Sequence, residues 1–199
     1  LPSAPQPIQP LSPLPEQQSV YQWGSSRAIH IGTVVHALLQ WIAESGVEQW
    51  VGQSLQPLAM RVDQQLRQLG VVREERPGAV LRVVEALQKV VDDPQGCYFL
   101  TQHEEARSEW SLTAQLDGVL THITIDRSFI DAQGVRWIID WKSSSHSGGG
   151  LEQFLDEEEV RYGPQLRKYA AVLKKLEQRP QKLVLYFPMH QQVREVSVL

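Results

Sequence analysis

Asp140 and Lys142 stand two residues apart at the end of an apolar run, Val135-Arg136-Trp137-Ile138-Ile139-Asp140-Trp141-Lys142. Side chains alternate along a β-strand, so the acid and the base share one face while Val135, Trp137, Ile139 and Trp141 take the other. A carboxylate holds a hard divalent cation through oxygen, and an ammonium beside it steadies a water nucleophile or a developing negative charge. That pairing suits metal-assisted cleavage of a phosphodiester. The same Asp-x-Lys spacing on an exposed strand is also a common surface ion pair, so the surrounding chain has to decide between the two readings.

A second acid lies nearby. Glu109 to Leu116, Val119 to Ile130 and Val135 to Lys142 read as three strands, joined by an Asp117-Gly118 hairpin turn and by Asp131-Ala132-Gln133-Gly134, which makes a meander. Asp117 and Asp131 have turn roles, whereas Asp126 falls inside a strand next to Ile123 and Ile125, with His122 and Thr124 on its own face. An acid there either pairs with an arginine or binds something. If the second and third strands pair through the turn, Asp126 stands roughly opposite Asp140, and two carboxylates on one face repel unless a cation or proton lies between them. A divalent metal is the economical explanation. His122, four residues along the strand or about 13 Å away, is too distant to share it.

The elements that must carry these strands are helical. Ile31 to Glu44 places Val34, Val35, Leu38, Leu39 and Ile42 on one stripe, with Gly32-Thr33 as the expected cap after a loop at Gln22 to Ser26. His36 sits on the flank of that stripe, either as a core histidine bonded to backbone or as a ligand. Helices are also predicted from about Leu58 to Leu69 and from about Gly78 to Val91, the latter closed by Asp92-Asp93-Pro94. His103-Glu104-Glu105 lacks the second histidine of a zinc-protease motif, since position 107 is Arg.

After Lys142 comes a polar, glycine-rich loop from Ser143 to Gly150, then an acidic segment from Glu152 to Glu159. Pro164 is expected to open a helix from about Gly163 to Glu177, with a core stripe of Leu166, Ala170 and Leu173 and with Gln165 and Tyr169 stacked four apart on the neighbouring face. Lys182 to Phe187 and Val193 to Val198 complete a set of five strands. The expected fold is α/β, a central mixed sheet of about five strands flanked by helices, with an N-terminal helical part.

With 199 residues, 42% of them hydrophobic, and six Trp, the chain fits one sizeable domain with a real core. A formal net charge of -4 argues against coating nucleic acid by charge alone but leaves room for a local basic groove. The single cysteine, Cys97, excludes a disulfide framework and any four-cysteine metal site, and fits a reducing compartment. No run approaches the roughly 18 apolar residues of a membrane span and no secretory signal is evident, so a soluble intracellular location is expected. The start at Leu1 and the proline-rich stretch that follows suggest a linker over residues 1–20 ahead of a domain at 21–199, in a fragment of something longer.

Taken together, Gly32-Thr33-Val34-Val35-His36, Ile125-Asp126-Arg127, Ile138-Ile139-Asp140-Trp141-Lys142-Ser143 and Gln165-Leu166-Arg167-Lys168-Tyr169-Ala170 resemble the RecB-type nuclease module of the PD-(D/E)XK superfamily. More narrowly, they resemble the C-terminal nuclease domain of UvrD/Rep-like helicases of the exonuclease V beta-subunit and AddA type. The resemblance implies a restriction-endonuclease-like core. It implies that His36, Asp126 and Asp140 hold Mg²⁺ (or Mn²⁺) with the backbone carbonyl of Trp141, that Lys142 acts with Asp140 and Asp126 in catalysis, and that Gln165 and Tyr169 border the DNA strand. The implied partners are DNA, as single-stranded ends, a helicase motor upstream in the same chain, and a second helicase-nuclease subunit, in a bacterial-type cytoplasm. No Gly-x-x-x-x-Gly-Lys-Ser/Thr loop occurs, so ATP hydrolysis is not expected from this stretch. Trp141 stands where tyrosine is common, and the cysteines of the AddB-like branch are absent. Two other readings stay open: a catalytically silent DNA-binding or subunit-docking module, and a metal-free scaffold in which Asp126 and Asp140 pair with arginines such as Arg127 or Arg136.

Overall fold

A computed structural model describes residues 16–116, 118–144, 146 and 150–198, with side chains from residue 27 onward. Two layers of helix enclose one sheet. α1 (Glu16–Ser45), two short 3-10 turns, α2 (Ala59–Gln68), α3 (Arg76–Asp92) and α4 (Pro94–Leu100) come first. β1 (Glu104–Leu116), β2 (Val119–Ile130) and β3 (Arg136–Trp141) form the expected meander, α5 (Leu151–Leu173) crosses over, and β4 (Gln181–Phe187) and β5 (Gln192–Val196) finish the sheet. The strand order is β1-β2-β3-β4-β5, antiparallel except for the parallel β3/β4 pair, which needs the α5 crossover. Among the described residues no helix is long and apolar enough to cross a membrane.

Alternation along the central strands supplies a core to each layer. Ile139, Trp141, Val184 and Tyr186 pack with the buried stripe of α1 (Val34, Val35, Leu38, Leu39, Ile42) and with α2 to α4. Ile138, Leu183, Leu185 and Phe187 pack on the other side with Leu166, Tyr169, Ala170 and Leu173 of α5.

Several local expectations change. Gln22 to Ser26 is helical rather than a loop, because a helix fixed by a buried stripe propagates into neighbouring turns at no more than about 1 kcal/mol for a glycine. Thr33 is inside α1 and bonds back to the Ile29 carbonyl, 3.0 Å away, instead of capping the helix. Asp93 does more than end α3: its carboxylate accepts from Gln95 N and Gly96 N, and with Pro94 it starts α4. The acidic segment and the Gln165 helix are one helix with Pro164 inside it. The missing N–H falls opposite Val160, a residue on the exposed face, while the buried residues of the opposite face hold the helix together. The proline-rich stretch up to residue 15 lies outside the described residues.

One distortion shapes the site. The β1/β2 ladder pairs Ser108 with Arg127 and Trp110 with Ile125 but skips the Glu109–Asp126 step, where Glu109 adopts a left-handed backbone with φ of 47°. Below it Phe129 faces the α1–α4 layer, whereas above it Ile123 and Ile125 face α5 although their parity is the same. The strand faces thus exchange at Asp126, and the simple alternation that puts His122 and Thr124 on the face of Asp126 does not carry through it.

Candidate metal centre

β2 and β3 pair from Ile130↔Arg136 to Arg127↔Ile139, and there the ladder stops. At the next step the side chain of Asp126 takes over from backbone, its Oδ2 accepting from Trp141 N at 2.8 Å. The acid is therefore fixed across the end of β3, next to Asp140. Asp140 is held between β2 and β4, 2% exposed, with Oδ2 2.5 Å from Lys142 Nζ and Oδ1 accepting from Gln165 Nε2 at 3.4 Å. The Lys142 contact lacks hydrogen-bond alignment, which leaves Oδ2 with capacity for a further partner. Backbone N–H of Lys142 bonds the Tyr186 carbonyl at 2.8 Å, so the β3/β4 pairing continues through the base.

His36 reaches this point from α1. Its Nε2 is 3.0 Å from the Trp141 carbonyl and its Nδ1 is 3.6 Å from Asp126 Oδ2. Burial depresses the imidazole pKa against the pull of Asp140 and Glu109, which favours the neutral ring. A neutral ring that donates from Nε2 to the carbonyl presents a bare Nδ1 to a carboxylate oxygen. Two acceptors facing each other call for a proton or a cation between them. The Trp141 carbonyl, expected in the metal shell, is engaged by His36 here.

Glu109, which the sequence reading placed at the start of a strand without a role, joins them: single ligand atoms of His36, Glu109 and Asp126 lie within 4.8 Å of one another. Its distorted backbone turns the carboxylate to the site. Nothing in the local sequence marks that conformation, because left-handed residues are usually Gly or Asn.

The electrostatics match the geometry. Burial, then the charge of Asp140, lifts the Asp126 carboxyl well above the usual range in spite of the Trp141 N–H bond. Burial also raises Asp140, with Lys142 pulling the other way. Acids that resist ionisation here would be stabilised as anions by a divalent cation, and a set of carboxylates with one imidazole suits Mg²⁺ or Mn²⁺. His36, Glu109 and Asp126 bring the clustered ligand atoms, while Asp140 stands beside them with its oxygens toward Lys142 and Gln165.

Gln165 ties α5 to the site by donating to Asp140 and to the Tyr169 hydroxyl. Tyr169 is buried, and burial pushes its phenol up to about 12, so it remains neutral and reaches the centre through Gln165. The arginines that would support a metal-free scaffold are committed elsewhere. Arg127 donates to the carbonyls of Phe99, Leu100 and Thr101, and Arg136 to Glu177 and Glu105.

A family model described as the PD-(D/E)XK nuclease superfamily matches residues 16–198. No curated protein matches the chain. A solved structure titled "Crystal structure of SSO0001" is similar at 18% identity over 71% of this chain, with a TM-score of 0.33. The chain spans 62% of the length of that structure, and a likeness at this level has no weight for fold or function.

Proposed function

We propose, from the premise that this chain belongs to the PD-(D/E)XK nuclease superfamily, that it is a metal-dependent deoxyribonuclease of the RecB type. It hydrolyses phosphodiester bonds as an exonuclease on DNA, with single-stranded ends as the preferred substrate. The observation that carries the proposal is the convergence of His36 from α1, Asp126 from β2 and Asp140 and Lys142 from β3 on one buried point. The residues of a silent module would have no reason to keep an acid set that repels itself so strongly.

Mg²⁺, with Mn²⁺ as a substitute, would activate water and neutralise the scissile phosphate when bound. His36, Glu109 and Asp126, whose ligand atoms cluster, would hold it together with Asp140, and His36 would offer the nitrogen left bare by its bond to Trp141 O. Lys142 positions the attacking water and compensates charge that develops on phosphate. Gln165 steadies the Asp140 carboxylate, and Tyr169 fixes Gln165. The resemblance to helicase-nuclease modules further leads to a place beside an ATP-driven helicase motor in the same polypeptide, with a second helicase-nuclease subunit as partner. On this reading it works in the processing of DNA ends during recombination and repair in a bacterial-type cytoplasm.

End-labelled single-stranded and duplex DNA, incubated with Mg²⁺, Mn²⁺ or EDTA, tests the activity, its polarity and its strand preference. Asp140→Ala is expected to lose metal binding and cleavage together, whereas Lys142→Ala loses cleavage and keeps the metal. A Lys142→Ala protein that cuts as fast as the parent would falsify the assignment.

A further inference from the structure

Lys142 has a neighbour that neither the sequence motifs nor the proposed chemistry uses. Its Nζ lies 3.6 Å from the centroid of the Tyr162 ring and 2.5 Å from Oδ2 of its carboxylate partner Asp140. Tyr162 is half-buried against the α5 side of the sheet. On α5, Glu158, Tyr162, Gln165 and Tyr169 follow at steps of four, three and four, so they share one helix face. Two of these residues are already tied to the centre. Glu158, 6% exposed, accepts from Ser144 Oγ at 2.8 Å, two residues after the lysine.

The backbone on either side of the ammonium is therefore pinned, to β4 through Lys142 N and to α5 through Ser144. What these bonds do not fix is the four-carbon stem. In the metal-free protein the Asp140 carboxylate does that, but Asp140 is also a ligand in the function proposed above. A divalent cation on the same carboxylate draws off the charge that attracts the ammonium and repels it directly. An aromatic face attracts a cation through its quadrupole and does not coordinate hard metals, so its hold on Lys142 survives when that of Asp140 weakens.

We propose that Tyr162 is a positioning residue for Lys142, its ring face keeping the ammonium in place while Asp140 is engaged by a cation. The inference rests on the nuclease reading for its purpose and on the Lys142–Tyr162 geometry for its substance.

The test keeps side-chain shape and changes the ring's charge distribution. Tyr162→Phe and a series of mono-, di- and trifluorophenylalanine at position 162 are compared with Tyr162→Leu. Cleavage at saturating Mg²⁺ is expected to fall stepwise with fluorination, by roughly tenfold in all, the worth of one desolvated cation–π contact. Phenylalanine should retain most of the parental rate, and metal and DNA affinities should not follow the series. A second reading needs no catalysis. In the metal-free protein the ε-methylene proton resonances of Lys142 should be shifted upfield by the ring, should stay shifted when Mg²⁺ or Ca²⁺ is added, and should return to ordinary positions in Tyr162→Leu. A flat fluorination series in an active parent, or an upfield shift that disappears on adding the cation, overturns the proposal. An inactive parent would instead count against the nuclease reading, and the resonance measurement would still decide whether the ring holds the ammonium.

Discussion

Asp126→Asn pits stability against metal binding. The Asp126 side chain is 13% exposed, accepts from Trp141 N at 2.8 Å, and faces His36 Nδ1 at 3.6 Å. Asparagine keeps the shape and, with its amide oxygen in the place of Oδ2, the Trp141 bond. It also removes a charge that burial and Asp140 disfavour. Relieving one unfavourable buried group is worth about 1 to 3 kcal/mol, so at pH 8 in EDTA the variant should be the more stable protein. For a chain of this size that is a rise in Tm of roughly 2 to 12 °C. Mg²⁺ should then reverse the order. The parent gains about 2.7 kcal/mol at a hundred times its Kd, and the variant, short of one ligand, gains far less. Thermal scans of both proteins, with EDTA and across a Mg²⁺ series, make the comparison. An Asp126→Asn protein that melts below the parent in EDTA, or that gains as much from Mg²⁺, would refute the reasoning.

Replacing Gln165 and Tyr169 together with Ala should lower cleavage by roughly tenfold, the cost of one hydrogen bond to a charged group, while calorimetry shows Mg²⁺ affinity nearly unchanged. Unaltered cleavage would return both residues to a packing role. Arg127→Met takes the donor from three carbonyls at 3.0, 3.3 and 2.8 Å and should cost about 3 kcal/mol or more, a fall in Tm of roughly 6 °C upward; a smaller fall would show that water replaces the guanidinium. Burial opposes the charge of Asp131, but bonds from Trp137 Nε1, Val135 N and Gln133 N outweigh it and hold the carboxyl below its ordinary 3.8. Its stabilising contribution is therefore complete above that value and lost as pH falls through the lower folded value. Asp131→Asn should cost about 1 kcal/mol near neutrality and little in strong acid, and a deficit that persists at pH 2 would contradict this.

The layers of the fold were legible because periodicity reports burial. The stripe from Val34 to Ile42, the Asp-Gly hairpin and the alternation of Trp137, Ile139 and Trp141 are all local signals of long-range packing. The proximity of Asp126 and Asp140 followed from one turn and a count along two strands. What escaped were features decided by tertiary context. Pro164 reads as a helix start, yet the apolar contacts of Leu155 and Leu166 hold both sides of it in one helix. Asp93 reads as a stop and serves as a cap as well. Glu109 was passed over because its contribution depends on a backbone conformation that glutamate seldom adopts, and Tyr162 because a ring three residues from Gln165 carries no meaning until the lysine is placed above it.

The bond between His36 and the backbone of Trp141 spans 105 residues, and β3 finds its parallel partner only after α5 has crossed over. Hairpins such as β1–β2 close in microseconds, whereas contacts of such separation wait for most of the chain-closure entropy to be spent. The acids share the β1–β2–β3 meander, but no locally folded piece of the chain joins them to His36. A partly folded chain can thus bring its carboxylates together before His36 reaches them, and the set is whole only after the cooperative step that completes the core. Any activity this centre has becomes a clock for folding: the first turnover after dilution from denaturant marks the moment the last long-range contact is made.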